Sequence, residues 1–171
     1  MKRHEVPEPS WEDAKVAIQE FGGWIKNADT KATILAAAVG ILVVALLSRV
    51  SKVGEVLRVD PPWRCGIIIV SATLILSMVL LGLFLYLALK PRRSNTAAFS
   101  RFSWPSVAAM PSAPANLARG AAAEEAWIQA HILARIAELK YRWFNRALGT
   151  FWVTLIVFAI LVALVELPTH P

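Results

Sequence analysis

The sequence predicts an all-α protein: three transmembrane helices, with two cytoplasmic amphipathic helices continuous with the first and third spans. Three observations carry this. Three stretches of 17, 25 and 19 residues hold no charged side chain. The hydrophobic pattern upstream of the first stretch repeats in steps of three and four and does not stop where the chain turns apolar. A proline-rich segment separates the second apolar stretch from the second amphipathic helix, so no proline falls inside either long helix.

The apolar stretches are residues 32–48, 65–89 and 147–165. Each falls in the range of about 17 to 25 residues that crosses a hydrocarbon core. The second holds fifteen Leu, Ile, Val or Phe side chains, worth roughly 5 to 9 kcal/mol of insertion at about 0.3 to 0.6 each. The first is the weakest, with nine such residues and several alanines. It does not read as a cleaved signal peptide, because six acidic residues precede it. The composition agrees: 57% of residues are apolar and the mean hydropathy is +0.54, too apolar for an ordinary soluble domain. Cys65 is the only cysteine, which excludes an internal disulfide and a multi-cysteine zinc site.

Residues 1–31 form a cytoplasmic segment ending in the first amphipathic helix. Trp11, Ala14, Ile18, Phe21, Ile25, Ala28, Ala32 and Leu35 follow one another at alternating steps of three and four, a heptad seam that enters the first span unbroken. Ser10, with Asp13 three residues on, marks the helix start. Residues 49–64 connect the first two spans as a periplasmic loop. Residues 90–120 are a cytoplasmic linker with three prolines between 105 and 114, where Phe99, Phe102 and Trp104 are expected to dock on the helices. Residues 121–146 form the second amphipathic helix. There Ile128, Ile132, Ile136, Leu139 and Trp143 lie within about 80° of arc, flanked by His131, Arg135, Glu138 and Arg142 on one side and Lys140 on the other. Residues 166–171 are a short periplasmic tail.

The basic residues set the orientation. Fourteen Lys and Arg lie in residues 1–31 and 90–146, four in residues 49–64 and none in 166–171. By the positive-inside rule the N-terminus is cytoplasmic and the C-terminus lies outside, in a multi-pass membrane protein. The motif KPRR at residues 90–93 is the strongest local anchor and faces lipid headgroups. The net charge of +6 is thereby assigned to the membrane, and no nucleic-acid partner is expected.

The charge-free spans carry none of the ionisable groups that proton relays, ion-coupled transporters and voltage sensors need at depth. There is no phosphate-binding glycine loop, no metal-ligand spacing and no nucleophile elbow. The chain is therefore expected to be neither an enzyme nor a carrier of a metal or cofactor. Small-residue stripes (Ala32, Ala36 and Gly40; Ala159 and Ala163) point to close helix approach. Asp29 and Lys31 flank the seam on opposite sides at headgroup depth, so their partners lie on other helices. A polar crevice there, with Lys31 or Arg142 meeting an anion, is the functional reading; on the structural one Asp29 and Lys31 pair with a neighbouring helix or snorkel, Arg142 pairs with Glu138 four residues before it, and Trp24 is an interface anchor. Candidate ligand-contacting residues are Lys31, Arg135, Arg142, Asp29 and Trp24. Other readings are a membrane-anchored helical adaptor, and a small channel subunit lined by Ser71, Thr73, Ser77 and Thr154.

The run WIKNADTKATIL, residues 24–35, together with KPRR, FSRFSW at residues 99–104 and HILARIAELKYRWFNRAL at residues 131–148, resembles the transmembrane effector family of bacterial Pycsar anti-phage defence. The likeness covers most of residues 20–165, through Trp24, Ala28, Asp29, Lys31, Ala32, Lys140 and Tyr141; the alanine- and proline-rich linker departs from it. The resemblance implies a partner cyclase that makes a cyclic pyrimidine mononucleotide, cCMP or cUMP, on infection. It implies an effector of the bacterial inner membrane, with the C-terminus then periplasmic, that senses the nucleotide and impairs that membrane, giving abortive infection; a homo-oligomer is expected from the residues themselves, since the apolar faces of the amphipathic helices need partners on each other and on copies of the chain.

Overall fold

A computed structural model describes residues 10–58, 63–91, 102–109 and 122–166. Every element is helical: α1 Trp11–Leu47, α2 Val50–Arg58, α3 Arg64–Leu89, α4 Trp104–Ala108 and α5 Ala122–Glu166, with no strand among the described residues. The two expected continuities hold. α1 starts where Ser10 predicts, with the Ala14 amide donating to the Ser10 carbonyl at 3.1 Å. It then runs without interruption past Ala28 and Ala32 into the apolar run. α5 likewise carries residue 122 through to the end of the third apolar run. Phe99, Arg92, Arg93 and the tail after Glu166 lie outside the described residues.

The chain divides into two compact units, one made of residues up to Ala28 with Pro91–Lys140, the other of Asp29–Lys90 with the remainder from Tyr141. In the first, Phe102 docks on Trp11 as expected, with ring centroids 5.5 Å apart. The arc expected to be the packing face of α5 is only partly covered, and Ile128 is 49% exposed. The buried positions are instead Ala126, Gln129, Ala130, Ala137 and Lys140, about 100° further round the helix. Small side chains let backbones approach closely, so the alanine stripe is enclosed and the bulkier isoleucines stand beside it.

The second unit is three long helix segments with α2 across one end. Ala32 and Leu35 of α1 meet Leu81, Leu85 and Ala88 of α3 and Ala147 of α5 in one cluster. Ile67 and Leu74 of α3 meet Leu161 and Val165 of α5 in another, against which Leu46, Val53, Val56 and Leu57 pack. The start of α3 thus lies with the ends of α1 and α5, so α3 runs antiparallel to both. Each helix buries positions spaced by three, four or seven residues: Ala32, Leu35 and Leu42 on α1, with Val39 partly buried between them; Ile67, Leu74, Leu81, Leu85 and Ala88 on α3; Ala147, Thr154, Leu161 and Val165 on α5. A 3.5-residue repeat is that of left-handed helix packing. α3 ends at Lys90, whose φ of −51° and ψ of 124° leave the helix, as the residue before a proline must.

Three of the helices are long and apolar enough to cross a membrane, and no more than 22% of any of their apolar windows is buried within the chain. Most of that apolar surface therefore points outward: Ile41, Val44, Ile69 and Trp152 are each at least 60% exposed. Three hydroxyls in these stretches bond their own helix. Thr73 donates to the Ile69 carbonyl at 2.9 Å, Ser77 to Leu74 at 2.8 Å and Thr154 to Thr150 at 2.8 Å, which satisfies them without water. Ser77 and Thr154 sit in the core and Thr73 on the surface, so the polar set considered for a channel does not line one face. Of the small-residue stripes, Ala32 and Ala36 pack inside the chain, while Gly40, Ala159 and Ala163 are exposed.

The segment read as a loop between the first two spans contains α2. Its apolar side packs into the second cluster. Its charged side joins a clamp: Glu166 accepts from Arg49 at 2.7 Å and from Lys52 at 2.6 Å. The hydrogen bond and charge of Lys52, and then those of Arg49, hold the Glu166 carboxyl below its ordinary value.

Two measurements test this packing. Ala147 is fully enclosed, so Ala147→Leu overpacks the first cluster and costs about 1 to 3 kcal/mol. At Gly40 an added Cβ meets open space, so Gly40→Ala gains up to about 1 kcal/mol of helix propensity. Thermal unfolding in detergent is expected to show a lower midpoint for the first and an equal or higher one for the second. For Glu166 the depressed folded-state pKa means that the clamp contributes above the ordinary carboxylate value and fades as pH falls through the lower, folded one. The melting difference between wild type and Glu166→Gln is therefore expected to be constant from neutral pH to about pH 5 and to close in stronger acid.

Candidate functional site

α1 enters the three-helix unit with Asp29, Thr30, Lys31 and Ala32. Ala32 is on the seam and enclosed. Asp29 and Lys31, about 200° apart around the helix, leave it on opposite sides, as the heptad reading requires. Asp29 is half-buried and Lys31 exposed. The Lys31 ammonium stands over the Tyr141 ring, 5.7 Å from its centroid, within the roughly 6 Å over which an aromatic face attracts a cation. This contact joins α1 to α5 just beside the cluster of Ala32, Leu35, Leu85, Ala88 and Ala147.

Two residues further along α5, Trp143 packs on Phe84 of α3 with centroids 5.9 Å apart. The Arg146 guanidinium covers the same indole at 4.7 Å. Arg142, between the two aromatic anchors, is exposed, and so is Lys90 at the end of α3. Among the described residues, this end of the unit carries Lys31, Lys90, Arg142 and Arg146 with the carboxylate of Asp29, and Glu138 lies about one turn before Arg142 on α5. Such a surplus draws anions. Among the described residues neither Lys31 nor Arg142 enters a salt bridge, so neither charge is offset by a fixed carboxylate.

Of the five candidate residues, the structure thus gathers Asp29, Lys31 and Arg142 at one end of the three-helix unit. Trp24 and Arg135 belong to the other unit, where both are exposed, Trp24 at 56%. Sequence reasoning missed the aromatic partners: Tyr141 under Lys31, and Trp143 under Arg146. It also placed Lys140 on a flank, whereas the residue is buried at 5% exposure. The signal was present, because stepping back from Ala147 by three and four reaches Phe144, Lys140 and Ala137. Near Lys140 in sequence, Gln129 is also buried, and its side-chain carbonyl finds no donor among the described residues. No group of three metal-ligating side chains stands together among the described residues.

The geometry offers attraction and positioning of an anion beside a helix junction. The family model of the Pycsar effector protein domain matches residues 13–167, from the first turn of α1 to the end of α5. No curated protein and no solved structure matches the chain. The match covers nearly all of the sequence, and with it the cationic, aromatic end where α1 and α5 meet: the chain belongs to the Pycsar effector family, whose members are cyclic-nucleotide-associated effectors of anti-phage defence.

Proposed function

We propose that the chain is a non-enzymatic membrane effector that responds to a cyclic pyrimidine mononucleotide, cCMP or cUMP, made by a partner cyclase. It sits in the bacterial inner membrane with its N-terminus cytoplasmic and C-terminus periplasmic. Its rearrangement impairs that membrane, and the infected cell stops before phage matures. It acts as a homo-oligomer and requires no metal or cofactor. The family supports the cyclic-nucleotide association, and the fourteen-to-four distribution of basic residues supports the orientation.

The observation that carries the reading is that α1 and α5 each pass from a charge-bearing half to an apolar half without a break. A helix is stiff over such lengths, so a displacement imposed beside Lys31 is felt in the first span. The ligand phosphate carries one negative charge, and Lys31 and Arg142 are exposed cations that enter no salt bridge among the described residues. Binding shifts the packing only to the extent that the nucleotide prefers one arrangement over the other.

Dye leakage from liposomes containing the purified protein tests this. Micromolar cCMP or cUMP is expected to release dye, and cAMP is not. Arg142→Ala is expected to raise the half-maximal nucleotide concentration by about tenfold, the loss of one charge-assisted contact. Tyr141→Leu is expected to weaken the response more than Tyr141→Phe, which keeps the ring under Lys31. Leakage that is indifferent to both pyrimidine nucleotides in a correctly folded sample refutes the proposal.

A further inference from the structure

At the opposite end of the three-helix unit lies a groove of about 290 Å³ between the α1–α2 turn, α3 and α5. Leu74 and Leu161 form part of its wall and Leu47, Val50 and Ile75 its mouth, with Ser71 the one polar residue in the lining. An apolar cavity of about 150 Å³ already accepts a benzene ring, so this one has room for a run of aliphatic chain. The mouth residues are 65%, 58% and 62% exposed, which leaves the groove open toward whatever surrounds the helices. The Ser71 hydroxyl is buried and makes no hydrogen bond among the described residues.

The charges beside the mouth select the occupant. Arg49 and Lys52 bracket Val50 and share the one carboxylate of Glu166, and all three side chains remain about 40 to 50% exposed. Two cations on one anion leave a net positive charge at the rim of an apolar groove. A molecule with an aliphatic tail and a phosphodiester head matches both features. Its ester carbonyl supplies the acceptor that the Ser71 hydroxyl lacks.

We propose that this groove holds one acyl chain of a bilayer phospholipid, with its phosphate at Arg49 and Lys52. The inference rests on the membrane reading above and goes beyond it, because it assigns a specific lipid to a specific place. A lipid seated there is part of the packing between the end of α1 and α3, and any shift of α1 against α3 must displace it.

The test uses the full chain in vesicles of phosphatidylethanolamine and phosphatidylglycerol containing a trace of phosphatidylglycerol with a photoreactive acyl chain. Labelled residues are mapped by peptide mass spectrometry. Labelling at Leu47, Val50 and Ile75 is expected to exceed that at Ile160 and Ile68, exposed apolar residues at the same end of the unit, by at least about fivefold. Ser71→Phe fills the groove and is expected to abolish the excess while leaving Ile160 unchanged. Lys52→Gln, which keeps the Arg49–Glu166 bond, is expected to lower the excess by about half or more. Even labelling of all five residues overturns the lipid site, as does chain-to-chain photocrosslinking from a photoreactive residue placed at Ile75, which assigns the groove to a second copy. Release of the chain from membranes by an alkaline carbonate wash overturns the membrane reading itself. Retention with even labelling overturns only the lipid site.

Discussion

Everything in this chain depends on one spacing. The three-and-four repeat that begins near Ala14 continues along α1 past the point where the sequence loses its charges, and α5 repeats the device from Ala126 to Val165. In water such a seam is driven by removal of apolar surface. Beside lipid that drive vanishes, because acyl chains are as apolar as leucine, and close packing must do the work. The sequence meets both demands with the same positions by changing what occupies them. Alanines bring the backbones together at Ala28, Ala32, Ala137 and Ala147, and larger side chains fill in where the helices diverge. A helix built this way needs no joint between its two halves.

The polar groups follow from the same constraint. Charges are kept out of the apolar runs and collected at their ends, where they tie helices distant in sequence. Arg49 and Lys52 reach Glu166 at one end; Lys31 reaches Tyr141 at the other. The two ends use different chemistry. A cation on an aromatic face keeps its full charge and can still attract an anion, whereas a cation on a carboxylate is largely spent. On the proposed reading, this difference assigns nucleotide sensing to the Lys31 end and a bracing role to the Glu166 end, where two cations against one carboxylate leave only a small surplus for a lipid phosphate.

What was legible in the sequence was whatever depends on neighbours along the chain. Ser10 announced the start of α1, the heptad steps announced its continuity, and the absence of charge marked the three apolar runs. What was not legible depends on neighbours across the chain. α2 is nine residues long, too short to be stable as an isolated helix, and its Val53, Val56 and Leu57 are held by α3 and α5. The packing face of α5 was misplaced because large apolar residues outweigh alanine in any hydrophobic arc, while burial follows close approach and favours Ala126, Ala130 and Ala137. Glu166 looked like the end of a span, since its partners lie 117 and 114 residues away. Lys31 and Arg142 were singled out for their charge and their places beside the seam and on the basic flank, and both are exposed. Tyr141 escaped because a tyrosine gives no sign from sequence of which charge it lies beneath.

The energetics of switching bear on how many copies act together. Moving a two-state equilibrium from about 1:99 to 99:1 takes about 5.5 kcal/mol of differential binding. A hydrogen bond to a charged group contributes about 1.5 to 3 kcal/mol, and part of that is realised in both states. On the proposed reading, one monoanion held by Lys31 and Arg142 in a single chain is therefore at the margin of what a decisive switch requires. Packed cores do not yield gradually: the cluster of Ala32, Leu35, Leu81, Leu85, Ala88 and Ala147 interlocks small and large side chains, and sliding α1 along the seam exchanges alanine for leucine at each contact, which makes the alternatives discrete. If several chains must change arrangement together, their ligand contributions add against one shared barrier, and a modest preference per site becomes a steep response. On the proposed reading, the exposed apolar faces of α1, α3 and α5, with Gly40, Ala159 and Ala163 among them, are where such coupling is built, and oligomerisation follows from the arithmetic of the switch as much as from the surface.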